Sequence, residues 1–149
     1  MSATEPIRDK RILQAMANYY LVRGNLRDYV LIVLGACTAL RISDLLALTW
    51  DQVYDEQAGR LKPSIMLVAH KTGKPRTVAL NKEAQQALRL YHARKKGVFL
   101  FSNHRRNEQP ISRVHAWRII RAAAQAVGAA GKIACHSLRK TWGYHAWTQ

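Results

Sequence analysis

The sequence predicts an α+β fold, mainly α-helical, with one small antiparallel β-sheet inserted after the third helix. Three observations point there. Apolar residues recur at helical spacing over 8–22, 26–38, 81–96 and 112–127. The pattern switches to short β-rich runs between Ser64 and Leu80, bounded by turn residues. Gly and Asn fall between the periodic stretches, where helices stop.

In chain order, Ile12, Leu13, Ala15, Met16, Tyr19 and Tyr20 form the apolar side of a first helix, broken at Gly24-Asn25. The second helix, Leu26 to Thr38, is apolar nearly all round from Val30 to Leu34, as expected of a central core helix. Ser43 is a candidate cap for a third helix, with Asp44 in its first turn. Asp55-Glu56-Gln57-Ala58-Gly59 reads as a turn. Ser64–His70 and Arg76–Leu80 read as strands joined by the basic turn Thr72-Gly73-Lys74-Pro75. Asn81 caps a helix to about Lys96, and Arg94-Lys95-Lys96 reads as its basic last turn. Val98 to Phe101 reads as buried and His104 to Pro110 as a polar loop. Ser112 caps the next helix, with Val114, Trp117, Ile120, Ala124 and Val127 as its expected apolar stripe. A last helix starts near Ser137.

The length of 149 residues fits one domain with a proper core. No run of about 18 uncharged apolar residues occurs, so no membrane span is expected, and the start MSATEPIRDK has no signal core. Cys37 and Cys135 match no zinc or redox spacing and read as reduced, buried thiols. His92, His104 and His115 share no metal-ligand spacing, so no metal is expected. Trp50, Trp117, Trp142 and Trp147 read as core or interface.

Charge is lopsided. Residues 1–56 hold six Lys/Arg against seven Asp/Glu, whereas 57–149 hold eighteen against two. The net charge of +15 recruits polyanions, of which nucleic acid is the usual one. An anionic membrane surface or ribosomal packing is the alternative.

Three local features carry chemistry. In Thr38-Ala39-Leu40-Arg41-Ile42-Ser43-Asp44-Leu45, Arg41 stands at the mouth of a helix, where a guanidinium can hold two phosphate oxygens; a surface or capping role is the alternative. The hairpin His70-Lys71-Thr72-Gly73-Lys74-Pro75-Arg76 places three cations on one turn, suited to tracking phosphates or, for a lysine, to protonating a leaving oxygen. An edge hairpin guarded by lysines is the bland reading. In His136-Ser137-Leu138-Arg139 the i, i+3 spacing puts imidazole and guanidinium on one helix face. Arginine offsets charge on phosphate oxygens and histidine moves protons near neutral pH, although a chance surface pair has the same spacing.

The ordered set resembles the tyrosine recombinases, the lambda-integrase-like superfamily, over about Leu26 to Trp147. The resemblance implies a DNA breaking-rejoining catalytic core. Arg41 and Arg139 would clamp the phosphate, Lys71 would be the general acid for the 5′-hydroxyl, and His136 would be the histidine of the H-x-x-R box. Asp44 would support Arg41. Lys74, Arg76, Lys140, Arg105 and Arg106 are candidate DNA contacts. The reaction implied is attack by a tyrosine on a phosphodiester through a 3′-phosphotyrosyl intermediate, with no metal, ATP or other cofactor. The implied partner is double-stranded DNA, bound as a homotetramer by the full-length protein, in the cytoplasm of a bacterium or on a mobile element.

Two family positions have no match. The second histidine or tryptophan is expected about twenty residues beyond the H-x-x-R box, and the nucleophilic tyrosine about ten further on; the chain ends before both. Tyr144 and His145 lie too near Arg139, and Tyr19, Tyr20, Tyr29, Tyr54 and Tyr91 precede the box. The expectation is therefore a single catalytic domain, cut short, without a core-binding domain ahead of it, monomeric and inactive alone. The alternatives are a non-catalytic DNA-binding remnant of an integrase and, on charge alone, a basic protein of a nucleoprotein particle.

Overall fold

The computed structural model describes residues 5–105, 109–129, 131–135 and 137–141. Its elements run α1 (Lys10–Leu21), α2 (Leu26–Thr38), α3 (Ile42–Leu46), α4 (Trp50–Val53), β1 (Tyr54–Asp55), β2 (Arg60–Leu61), β3 (Ser64–Val68), β4 (Pro75–Ala79), α5 (Lys82–His92) and α6 (Arg113–Ala126). Residues 137–141 form a further helical turn. The mainly helical α+β expectation holds. The β part is two separate two-stranded antiparallel ribbons, β1–β2 and β3–β4, rather than one sheet.

α2 is the axis of the core. Val30, Leu31, Ile32 and Leu34 are fully enclosed, because α1, α5 and α6 all pack against this one helix. One contiguous hydrophobic cluster runs from Ile7 to Leu138. At the start of α2, Arg27 and Asp28 are buried together, with Nε 2.8 Å from Oδ1. Asn25 Nδ2 donates to the second Asp28 oxygen, and an Arg27 Nη donates to the Ser102 carbonyl, so the pair is satisfied despite its burial.

At its other end α2 stops on Ala39, in the left-handed region at φ 57°, where a residue with a Cβ is strained by about 1 kcal/mol. The chain then turns sharply into α3. The cap of α3 is Arg41 and not Ser43, which sits inside the first turn; the Arg41 carbonyl accepts from Leu45 N.

The β3–β4 ribbon pairs Ser64 with Ala79 through Val68 with Pro75. Its connection closes by Ala69 N donating to the Lys74 carbonyl and Gly73 N to that of Ala69, with Gly73 at φ 67°. That left-handed position is where glycine avoids a Cβ clash. Leu67 faces Arg76, and Ile65 faces Val78. Ile65 and Val78 are buried, which turns Arg76 toward the body of the domain.

α5 ends at His92, short of the expected Lys96. The cause is a turn that returns the chain to α4: Trp50 N donates to the Val98 carbonyl and Leu100 N to that of Leu48. Arg94-Lys95-Lys96 therefore lies beyond the helix, where Lys95 pairs with Glu56. Leu100 and Phe101 are buried as expected, but Val98 is exposed.

Ser112 caps α6 as expected, accepting from His115 N. The buried stripe is Ala116, Ile119, Ile120, Ala123 and Ala124. Val114 and Trp117 are 57% and 47% exposed, so their expected core role is wrong. The error is one of phase, since the stripe begins at the fourth rather than the second helical residue. Trp50 is in the core; Trp142 and Trp147 lie outside the described residues. Cys37 and Cys135 are free thiols, only half-buried rather than enclosed.

Two links close the molecule. Glu5 N donates to the Lys132 carbonyl at 2.9 Å, and Ile7 N donates to Thr141 Oγ1 at 2.8 Å. Among the described residues no helix is long and apolar enough to cross a membrane, and no cluster of side chains could hold a metal ion.

Candidate active site

Arg41, Lys71 and Arg139, three residues from distant parts of the chain, line one open cleft of about 530 Å³. Arg113, His70 and Cys135 line it too, and no acidic residue does among those described.

Each cation is positioned by its local structure. Arg41 leaves the turn after Ala39 with its backbone fixed as the α3 cap. Arg139 comes from the 137–141 turn, and its Nε donates to the Ala39 carbonyl at 3.0 Å. The strained residue that ends α2 thus holds the second arginine beside the first. One Nε bond leaves both terminal nitrogens of the guanidinium for an anion. Burial, then the charges of Arg41 and Arg76, lowers the Arg139 guanidinium below its ordinary value. A partly desolvated guanidinium crowded by two other cations is a positive spot that an anion would relieve.

The 137–141 turn approaches α2 closely at Gly35. A Cβ there would fall 2.5 Å from Leu138 Cδ1, so any larger residue would push Leu138 aside in the turn that brings Arg139 to Ala39. Ser137 is buried and its Oγ accepts from Ala134 N, fixing the entry to the turn.

Lys71 is exposed at the hairpin tip. The root beside it is pinned by Asp44, whose Oδ1 accepts from His70 N at 3.0 Å and lies 2.7 Å from His70 Nδ1. Asp44 was expected to support Arg41; its hydrogen bonds go instead to the hairpin. Burial alone would raise the Asp44 carboxyl, but the backbone and ring bonds from His70 and the nearby Arg41 charge hold it below the ordinary carboxylate value.

The other sequence candidates divide. Arg76 is near enough to affect Arg139, and Lys74 is exposed on the hairpin. Lys140 is half-buried and does not line the cleft. Arg105 lines a different hollow with Arg27, His104, His115 and Arg118, toward the opposite end of α2. His136 and Arg106 lie outside the described residues. Arg113 was missed because the first residue after a helix cap is ordinarily read as solvated surface. His70 was noticed only as part of a basic hairpin, because nothing in the sequence pairs it with Asp44.

None of the described tyrosines lines the cleft. Tyr20 and Tyr91 are buried and donate to the carbonyls of Ile119 and Leu100. Tyr54 stacks on His92, and Tyr19 lies under the Arg23 guanidinium.

The mainly helical domain thus carries a cationic cleft between the start of α3, the β3–β4 hairpin, the start of α6 and a C-terminal turn, with the chemistry of a polyanion site. Residues 7–147 match the phage integrase family, and the chain belongs to that family, the tyrosine recombinases. It is 39% identical over 146 residues to the "Probable integrase/recombinase YoeC" of Bacillus subtilis, covering 97% of this chain and 76% of that one. It is 30% identical over 128 residues to tyrosine recombinase XerD of Corynebacterium glutamicum, covering 81% of this chain and 40% of the relative. The fold is that of XerA recombinase, with TM-score 0.76, 21% identity and coverage of 97% of this chain and 52% of that one. It is likewise that of lambda integrase residues 75–356 bound to DNA, with TM-score 0.72, 16% identity and coverage of 95% and 51%. The chain thus spans about half the length of these solved structures.

Proposed function

We propose that this chain is the phosphate-holding part of a site-specific DNA recombinase catalytic domain. The observation that carries the reading is the convergence of Arg41, Lys71 and Arg139 on one cleft. Arg41 and Arg139 hold the non-bridging oxygens of a duplex phosphodiester and offset the charge that grows as phosphorus becomes five-coordinate. A tyrosine hydroxyl attacks phosphorus, forming a 3′-phosphotyrosyl bond as the P–O5′ bond breaks. Lys71 delivers a proton to the departing 5′-oxygen, and His136 receives the tyrosine proton. Reversal of the same steps reseals the strand, so no metal, nucleotide or other cofactor enters. Asp44 holds the hairpin root, and Arg76, Lys74, Lys140, Arg105 and Arg106 contact flanking phosphates. The complete protein works as a homotetramer on two duplexes in the bacterial cytoplasm, and the 149-residue chain alone is a monomer.

Affinity for a short duplex falls steeply between about 50 and 200 mM salt, because each phosphate contact releases counterions. Fluorescence anisotropy across that range tests this, and salt-independent binding overturns it. The second reading, a DNA-binding remnant without catalysis, draws on the absence of any described tyrosine from the cleft. A nicked suicide duplex separates the questions. The 149-residue chain is expected to form no covalent 3′ adduct, and an adduct through any of its tyrosines overturns that expectation.

A further inference from the structure

Among the described residues, the imidazole of His70 is bound on one side only. Its Nδ1 lies 2.7 Å from Oδ1 of Asp44, and the same oxygen accepts from the His70 backbone N–H. The two side chains differ sharply in environment: Asp44 is 2% exposed and His70 60%. A buried carboxylate therefore grips an imidazole whose other nitrogen has no protein partner among the described residues. That imidazole is part of the wall of the cleft that Arg41, Lys71, Arg113 and Arg139 line.

This arrangement has chemical consequences. A carboxylate on Nδ1 fixes the tautomer with hydrogen on Nδ1 and leaves Nε2 as a free basic nitrogen. It also stabilises the imidazolium that forms when Nε2 takes a proton. The groups facing His70 are Asp44 and Arg41 from the α3 end, Lys71 on its own hairpin, Arg113 from α6, and Cys135 and Arg139 from the C-terminal segment. A phosphodiester brings a negative charge into the middle of those cations and shifts the balance toward the protonated ring.

We propose that His70 is a phosphate ligand of the cleft, an imidazole held at Nδ1 by Asp44 that takes a solvent proton on Nε2 as a DNA phosphodiester enters and donates that N–H to a non-bridging oxygen. The proposal rests on the cleft being a phosphate site, as argued above. It gives DNA binding a proton linkage that clamping by arginines alone does not have, since guanidinium groups stay charged at all relevant pH values.

Calorimetry tests it on the 149-residue chain with a short duplex, in buffers of differing ionisation enthalpy, from about pH 6 to pH 8. The wild-type chain takes up about half a proton per bound site on average through His70, and its affinity falls about tenfold across that range. His70→Asn keeps a polar group for Asp44 but has nothing to protonate. It loses that proton and flattens the pH profile, while His92→Asn, altered away from the cleft, keeps both. Equal proton uptake in His70→Asn and wild type overturns the proposal. If His70→Asn does not fold, ring-proton NMR of the wild type decides instead. The His70 signal, assigned with His70→Gln, moves toward the imidazolium position when duplex is added at about pH 7; a stationary signal overturns the proposal. A wild-type chain that fails to bind duplex at any salt concentration overturns the phosphate reading itself, a failure distinct from binding without proton linkage.

Discussion

Arg139 is held at Nε by a carbonyl 3.0 Å away, and this decides what can replace it. Lysine carries the charge but has no second donor in the guanidinium plane, so it cannot both bond Ala39 and hold two oxygens. Arg139→Lys is expected to weaken duplex binding and abolish cleavage in a protein that carries the nucleophile, much as Arg139→Ala does; gel-shift and suicide-substrate assays check both. Asp44 is expected to govern the acid limb of stability. Its folded carboxyl lies below the ordinary value, so its contribution is complete above that value and is lost as pH falls through the lower folded one. Asp44→Asn should cost about 1–3 kcal/mol at about pH 6, with the difference from wild type shrinking as pH falls through the lowered folded value. Urea melts at several pH values measure this.

At the scale of elements, the approach of the 137–141 turn to α2 depends on one missing methyl group. Gly35→Ala is expected to destabilise the fold by about 1–3 kcal/mol, because the new Cβ meets Leu138 in a filled core. Leu138→Ala in the same chain should recover part of the loss by removing Cδ1, and a double-mutant cycle in thermal melts reads the coupling. The helices themselves were largely legible in the sequence. α2 matched from Leu26 to Thr38, and Asn81 and Ser112 cap α5 and α6 as expected. What failed were features set by distant partners. The end of α5 depends on pairing with the strand-like run at 48–50, and the phase of α6 depends on which face meets α1 and α3. Local periodicity contains neither fact. The candidate site was legible as residue types in order, and the fold brings its candidates Arg41, Lys71 and Arg139 to one cleft. Arg113 and the Asp44–His70 link were not, since each is created only by folding.

For the whole molecule, the charge asymmetry includes, among the described residues, cationic regions at both ends of α2. One is the cleft at its C-terminal end, and the other is the hollow around Arg105 and Arg118 near its start. Arg27 belongs to the second region but is 7% exposed and committed to Asp28. Arg27→Met should therefore act on stability, lowering it by about 3–5 kcal/mol by leaving Asp28 buried and unpaired. Arg27→Met with Asp28→Leu should recover most of that loss in denaturant melts.

The two links between residues 5–7 and the C-terminal segment also make a mechanical path. Ile7 grips Thr141, two positions from Arg139 on the same helical turn, while Glu5 grips Lys132 ahead of it. Tension applied to the polypeptide upstream of Glu5 would reach the turn that carries Arg139 through two hydrogen bonds. The placing of Arg139 in the cleft is in this way tied to the pull on whatever precedes residue 5.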